Sequence, residues 1–360
     1  METLYKILTR PVLFRFPSDK IHELTVKYGS TISKNDPLLR VLDSVYNFQH
    51  PSLKQDVWGL DFKNPVGLAA GFDKNGTLVH LMEHLGFGFT EVGSITANAS
   101  TGNPKPRSFR LPADSSIINR MGLNNDGAAT VVKRLAKCKS SIPVGVNIAK
   151  THNPEITGTA ALDDYLDSYR LAQKVASYIT LNISCPNTTE GKTFEDPRSL
   201  ESLLSHLNIG KDASEPPVLV KLSVDLDNQQ LSELLDVCRA SAISGYVATN
   251  TSARREDLTT SSKTIKRIGK GGLSGKAISD RSTEIIQLIS EQTKREKPII
   301  GVGGIFGIND AIEKLKAGAD LLQIYTGLVY EGPSLVKKIN RGLVRYLEKN
   351  GKKHIYQIRS

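Results

Sequence analysis

Residues 65–94 read PVGLAAGFDKNGTLVHLMEHLGFGFTEVGS. The stretch opens on one short apolar run, Pro65 to Ala69, and closes on another, Phe89 to Ser94. Between them Leu78, Leu81, Met82 and Leu85 recur at helical spacing, and Gly86 is a stop signal. Strand, helix and strand in about thirty residues make a parallel β/α unit.

The unit repeats along the chain. Further runs at Pro143 to Ala149, Tyr178 to Ser184, Val218 to Ser223, Gly245 to Asn250, Pro298 to Gly304 and Leu321 to Thr326 bring the set to eight, each followed by a helix-period segment. Eight units in about 290 residues is the size of an α/β protein of the (β/α)8 TIM barrel class. The competing architecture, a doubly wound open sheet, would want GxGxxG after its first strand, and this chain has none.

Upstream the pattern differs. Leu4, Ile7, Leu8 and Val12 recur at helical spacing while Lys6 and Arg10 interrupt any signal-peptide core, so the segment is amphipathic. Ser18 or Asp19 is expected to cap a second helix that carries Ile21, Leu24 and Tyr28 on one side and stops at Gly29. The expected organisation is a small N-terminal helical extension over residues 1–50 and a catalytic barrel over 51–360. The extension is either an ordinary packed subdomain or a helix pair that lies on a membrane surface. No run of 18 apolar residues is present to span a bilayer.

Composition narrows the classes. The chain has 360 residues, 39% of them apolar and 23% charged, which is globular rather than disordered or fibrous. Its cysteines, Cys138, Cys185 and Cys238, are too far apart for a CxxC or CxxH site, so neither a metal nor a redox pair is expected. The net charge of +10 would suit anionic partners, but the lysines are spread along the chain. With no zinc-finger or RNA-recognition signature, a nucleic-acid partner is not expected.

Polar residues sit at the ends of the expected strands, where an apolar core would not take them. Asp73 and Lys74 follow the first strand, Ser94 ends the second, and Asn147 and Asn182 lie late in the third and fourth. Lys221 lies in the fifth, Thr249 and Asn250 end the sixth, Gly303 and Gly304 the seventh, and Tyr325 and Thr326 the eighth. A barrel gathers all of these at its C-terminal mouth, where barrel enzymes keep their chemistry. Glycines at 303 and 304, at 327, and from Gly271 to Gly275 would free backbone N–H groups for a phosphate. Lys221, buried by its strand position, would want an anionic group or an electron-rich ring facing it. A flavin meets both needs, and a sugar-phosphate substrate meets them as well.

At these residues the chain resembles dihydroorotate dehydrogenase from about Phe14 to Tyr330. The matching strings are NPVGLAAGFDKNG from Asn64, GNPKPRSFRLP from Gly102, NRMGLNN from Asn119, NISCPNT from Asn182, ATNT from Ala248, GGLSG from Gly271, IIGVGGI from Ile299 and QIYTG from Gln323. His22 in DKIHELT and Arg110 in SFRLP resemble the membrane-associated, quinone-dependent class. The resemblance implies FMN contacts from Ala70, Gly71, Ser94, Asn147, Asn182, Lys221, Thr249, Gly275, Gly304, Tyr325 and Thr326. It implies dihydroorotate contacts from Lys74, Asn119, Asn182, Asn187, Asn250 and Thr251, with the backbone of Arg120, Met121, Gly122 and Leu123 alongside. A planar ring bearing amides and a carboxylate suits asparagine side chains and a balancing lysine.

The reaction so implied is oxidation of dihydroorotate to orotate in pyrimidine biosynthesis: a base takes the C5 proton as hydride leaves C6 for the flavin. The base position is Cys185, where the quinone-dependent class carries serine and the soluble class cysteine, so the chain combines two signatures. A thiol is the better base near neutrality. Leu123, the AKT string at Ala149 and the TEGK string at Thr189 also depart from the quinone-class pattern. Electrons would leave to a membrane quinone at His22, Arg110 and Tyr325, through helices on the membrane surface. That implies a peripheral protein on the cytoplasmic face of the cell membrane. A soluble acceptor such as fumarate, a flavin-free barrel lyase or isomerase, and a basic scaffold for nucleic acid are the competing readings.

Overall fold

The computed structural model describes residues 4–184, 194–212 and 214–359. Its centre is a closed ring of eight parallel strands: β1 (Val66–Leu68), β2 (Phe89–Ile95), β3 (Val144–Ile148), β4 (Tyr178–Asn182), β5 (Val218–Leu222), β6 (Gly245–Ala248), β7 (Ile299–Val302) and β8 (Leu321–Ile324). Each strand pairs with its sequence neighbours and β8 closes onto β1, with Leu322 beside Val66 and Ile324 beside Leu68. Because strands buried on both faces must be apolar along their length, seven fall inside the runs read from the sequence, and β2 overshoots its run by one residue, Ile95.

Two small sheets were not legible in that pattern. An antiparallel hairpin, Gln55–Val57 with Leu60–Phe62, plugs the N-terminal end of the barrel. There Phe62 meets Phe89 edge-on and Trp58 donates its Nε1 proton to the Ser244 carbonyl at 2.9 Å. At the opposite end a three-stranded antiparallel sheet, Ser108–Leu111, Ser116–Asn119 and Gly272–Gly275, stands over the mouth.

Ahead of the barrel lie a helical segment from Tyr5 to Leu13 and two helices, Ser18–Ile32 and Asp36–Tyr46. The first segment docks on the helix Thr326–Glu331 that follows β8: the Tyr5 hydroxyl donates to the Val329 carbonyl at 2.7 Å, Arg10 to the Tyr330 carbonyl at 3.0 Å, and Lys6 pairs with Glu331. Two expectations for the second helix are corrected. Neither Ser18 nor Asp19 caps it; Asp19 is buried, and its carboxylate accepts the Arg107 backbone N–H at 2.9 Å. Nor does the helix stop at Gly29, which is glycine for lack of space: a Cβ there would lie 2.8 Å from a Leu78 methyl. The third helix, capped by Asn35 with Pro37 in its first turn, had no counterpart in the sequence reading.

Candidate functional site

The mouth holds a cavity with about 1150 Å3 of empty space, open solvent at its entrance included. Ala70, Gly71, Ser94, Asn182, Lys221, Thr249, Gly275, Gly304, Tyr325 and Thr326 line it, as do Lys74, Asn119, Met121, Gly122, Leu123, Asn250 and Thr251. Asn147 and Arg120, also expected at the site, are not among the residues that line this cavity. The Asn147 side chain is wholly buried one layer below Ser94, accepting its hydroxyl proton and donating to Glu91 at 2.8 Å. Arg120 is expected there through its backbone alone, and its guanidinium turns outward, stacking 4.7 Å from the centre of the Phe109 ring and donating to the Lys270 carbonyl at 3.2 Å. Asp73 also takes a local role, accepting the backbone N–H of Thr77 and Leu78 at 2.9 and 2.7 Å beside the helix Val79–His84. Cys185 and Asn187 lie outside the described residues.

A polar chain fixes the wall from β2 to β6. Asn182 donates to Ser94 Oγ at 3.0 Å, and Asn250 donates to Asn182 Oδ1 at 3.0 Å and to Ser184 Oγ at 2.9 Å. Each amide therefore has a set orientation, with donors and acceptors presented at known places. Asn125 pins the NRMGLNN loop, donating to the Leu123 carbonyl at 2.7 Å and accepting the Gly127 N–H at 2.8 Å. Leu123 is held there at φ 53°, a left-handed conformation rare for a branched side chain, which turns the loop toward the cavity.

Sequence reasoning missed Glu91. It is wholly buried inside the barrel and accepts from Gln323 at 2.7 Å and from Tyr178 and Thr180 at 3.2 Å each. Those donors come from β4 and β8, the alternate strands that share a barrel layer with β2. A glutamate in mid-strand opposite such residues was the available signal.

The residues present fit a phosphate-bearing flavin. Thr249 Oγ1 and Gln323 Oε1 are buried polar atoms with no hydrogen-bond partner among the described residues, and both residues line the cavity. Buried polar groups are ordinarily satisfied, so these two match a bound molecule that carries polar edges. Gly275 and Gly304, at φ 104° and 70°, pack so closely on the protein that a Cβ would lie 2.6 Å from the Ser115 carbonyl oxygen in one case and 2.4 Å from Ser279 Cβ in the other, so bare backbone lines the cavity at both positions. Lys221 is buried at the same wall.

A second, largely apolar cavity of similar size adjoins the first. Residues of the N-terminal segments, among them Leu13, Phe14, Ile21 and His22, form one side, and Phe72, Leu81 and Leu328 the other. Ser108, Ile117, Met121 and Tyr325 line both cavities. His22 and Tyr325 flank Phe72 edge-on, each with ring centroids 5.4 Å away. Burial, reinforced by Lys74 and Arg107, pushes the His22 imidazole down to about 3, and burial lifts Tyr325 to about 12, so both are neutral near pH 7. Arg110 stacks on Phe14 and donates to the Leu13 carbonyl at 3.1 Å and to the Phe16 carbonyl, closing the outer wall. Lys74, whose ammonium donates to the Gly71 carbonyl at 2.5 Å, is pushed down to about 8 by burial and by Arg107.

Comparison with known proteins places this geometry. A sequence model of the family described as dihydroorotate dehydrogenase matches residues 52–347. A protein of Nostoc punctiforme named dihydroorotate dehydrogenase (quinone) is 41% identical, the match covering 97% of this chain and 95% of that one. One of the same name from Christiangramia forsetii is 42% identical over 95% of this chain and 99% of its own. Among solved structures, DHODH from Eimeria tenella in complex with ferulenol superposes with a TM-score of 0.79 at 29% identity, covering 90% of this chain and 93% of that one.

Proposed function

Since this chain belongs to the dihydroorotate dehydrogenase family, a flavin-dependent family in general, we propose that its mouth cavity holds FMN and that it oxidises dihydroorotate to orotate, with a membrane quinone as electron acceptor. The observation that carries the reading is the pair of adjoining cavities: a polar one with a glycine cradle, and an apolar one walled by the N-terminal helices, divided by Tyr325.

In this reading Gly275, Gly304 and Thr326 hold the phosphate through backbone N–H groups, and Ser94, Asn182, Lys221 and Thr249 face the ring. When bound, FMN supplies a two-electron acceptor that can pass electrons on to quinone. Asn119, Asn182, Asn187 and Asn250 present amides to the substrate ring, and the Lys74 ammonium balances its carboxylate. The Cys185 thiol takes the C5 proton. The sheet over the mouth and the NRMGLNN loop narrow the entrance and limit water at the reacting carbon.

Quinone delivery follows from the outer surface. Leu4, Ile7, Leu8, Val12 and Phe16 are exposed, Ile7 at 65%, on the segments that wall the apolar cavity. No helix among the described residues is long and apolar enough to cross a membrane. A surface of this kind suits an interfacial helix pair, from which a lipid-soluble acceptor need not enter water.

The test is spectroscopic. Purified protein should be yellow, bleach with dihydroorotate, and recover its colour with ubiquinone or menaquinone faster than with fumarate. A colourless preparation that binds no flavin overturns the cofactor; recovery with fumarate alone overturns the acceptor.

A further inference from the structure

Lys314, on the helix Ile308–Lys316 that follows β7, has no solvent exposure. Its ammonium lies against the first turn of the helix Ser279–Gln292, donating to Ser282 Oγ at 3.0 Å, Thr283 Oγ1 at 3.1 Å and the Ser279 carbonyl at 3.4 Å. The same turn supports the Gly303–Gly304 loop. Ser282 donates to the Val302 carbonyl at 2.5 Å and Ser279 to the Gly304 carbonyl at 3.4 Å. A Cβ on Gly303 would stand 2.9 Å from Ser282 Oγ, so the loop packs closely on the serine turn. On its opposite side the loop lines the mouth cavity.

A buried ammonium is costly unless its charge is matched. Among the described residues no carboxylate stands within ion-pair distance of Lys314. Asp310, the strongest attractive charge in its surroundings, gives one oxygen to Lys276 at 2.6 Å and the other to the Phe306 N–H at 2.8 Å. Asp280 and Glu313 act from farther away, and Lys276 opposes them. Burial outweighs these attractions and pushes Lys314 down to about 7, so near neutrality its charge is only partly present, and an anion on the cavity side of the loop would favour the charged form.

We propose that Lys314 is a positioning residue of the phosphate pocket: through the Ser279–Thr283 turn it fixes the Gly303–Gly304 loop, and it lends positive charge to a phosphate bound on the loop's cavity side. The proposal rests on the FMN reading.

FMN and riboflavin differ only by the phosphate, which makes their affinities a paired measurement. The full-length chain, freed of flavin, is titrated with each while flavin fluorescence is followed. In Lys314→Met the FMN Kd should rise about tenfold, the effect of one partly screened charge, with the riboflavin Kd within about twofold of wild type. Lys314→Gln, which keeps a hydrogen-bond donor without the charge, should show the same selective loss and stands in if the methionine variant does not fold. Equal weakening of both flavins in either variant makes Lys314 a general fold residue and overturns the proposal, as does an unchanged FMN Kd. Wild-type protein that binds neither flavin overturns the FMN reading itself, a separate result.

Discussion

The Tyr325 ring meets Phe72 edge-on, centroids 5.4 Å apart at 70°, in the wall shared by the polar and apolar cavities. Burial keeps its hydroxyl protonated to about pH 12, so it is a fixed donor at any working pH. Tyr325→Phe keeps the ring and removes that donor. Quinone-driven flavin reoxidation should slow by about three- to tenfold, the worth of one net hydrogen bond, while flavin reduction by dihydroorotate stays within about twofold. Stopped-flow absorbance separates the two half-reactions, and equal slowing of both would place the hydroxyl on the substrate side.

His22 should make stability depend on pH. Its folded-state value of about 3 lies below the ordinary 6.5, so between those values the unfolded chain binds the extra proton. The favourable contribution is complete above pH 6.5 and falls by up to about 1.4 kcal/mol per pH unit as pH drops toward 3. Replacing it as His22→Gln should remove about 2 kcal/mol of the stability lost between pH 7 and pH 5. Urea unfolding at those two pH values checks this, and parallel losses in both proteins would show that His22 is accessible to protons in the folded state.

The barrel was legible because its strands have one demand, apolarity on both faces, and the sequence meets it eight times. Their polar ends were legible for the same reason: Asn182 and Lys221 break the rule where β4 and β5 end. Other features carry no periodic mark. The sheet over the mouth joins four-residue pieces around 110 and 117 with a third near 273, a pairing set by the closed barrel rather than by local sequence. Glu91 reads locally as an ordinary charged position and becomes interior only because Tyr178, Thr180 and Gln323 converge on it. Asn147 shows the limit of carrying roles by resemblance: its side chain is committed to Ser94 and Glu91 rather than lining the cavity.

Lys74 should set the upper pH limit for substrate binding. With its ammonium pushed down to about 8, the cation that would face the substrate carboxylate is present below that value and lost above it. The KM for dihydroorotate should therefore rise about tenfold per pH unit above pH 8, until a second group intervenes, with a smaller change in kcat. In Lys74→Arg, which stays charged, KM should be higher at pH 7 because the geometry differs, yet flat with pH. A wild-type KM that is level to pH 9.5 or above would remove Lys74 from the carboxylate.

Cys185 is argued from its place between Asn182 and Asn187 in the family string. Cys185→Ala should retain flavin and lose most of the single-turnover reduction by dihydroorotate, at least about a hundredfold for a missing general base. Cys185→Ser should move the rising limb of the rate profile to higher pH, since a hydroxyl is the weaker acid. A near-normal rate in the alanine variant, or an unchanged profile in the serine variant, would assign the base elsewhere.

The exposed apolar residues of the N-terminal segment should act on access rather than on chemistry. Ile7 and Leu8 are 65% and 57% exposed, so Ile7→Glu with Leu8→Glu should change folding stability by under about 1 kcal/mol. Removing two inserting side chains and adding two charges should reduce binding to phospholipid vesicles by at least about tenfold in a sedimentation assay. Turnover with a long-chain quinone held in those vesicles should fall in proportion, while turnover with a short, water-soluble quinone should hold, because the cavity behind Tyr325 is untouched. Unchanged vesicle binding would show that the surface serves another contact, and loss with both quinones would show that the segment shapes the cavity instead of docking it.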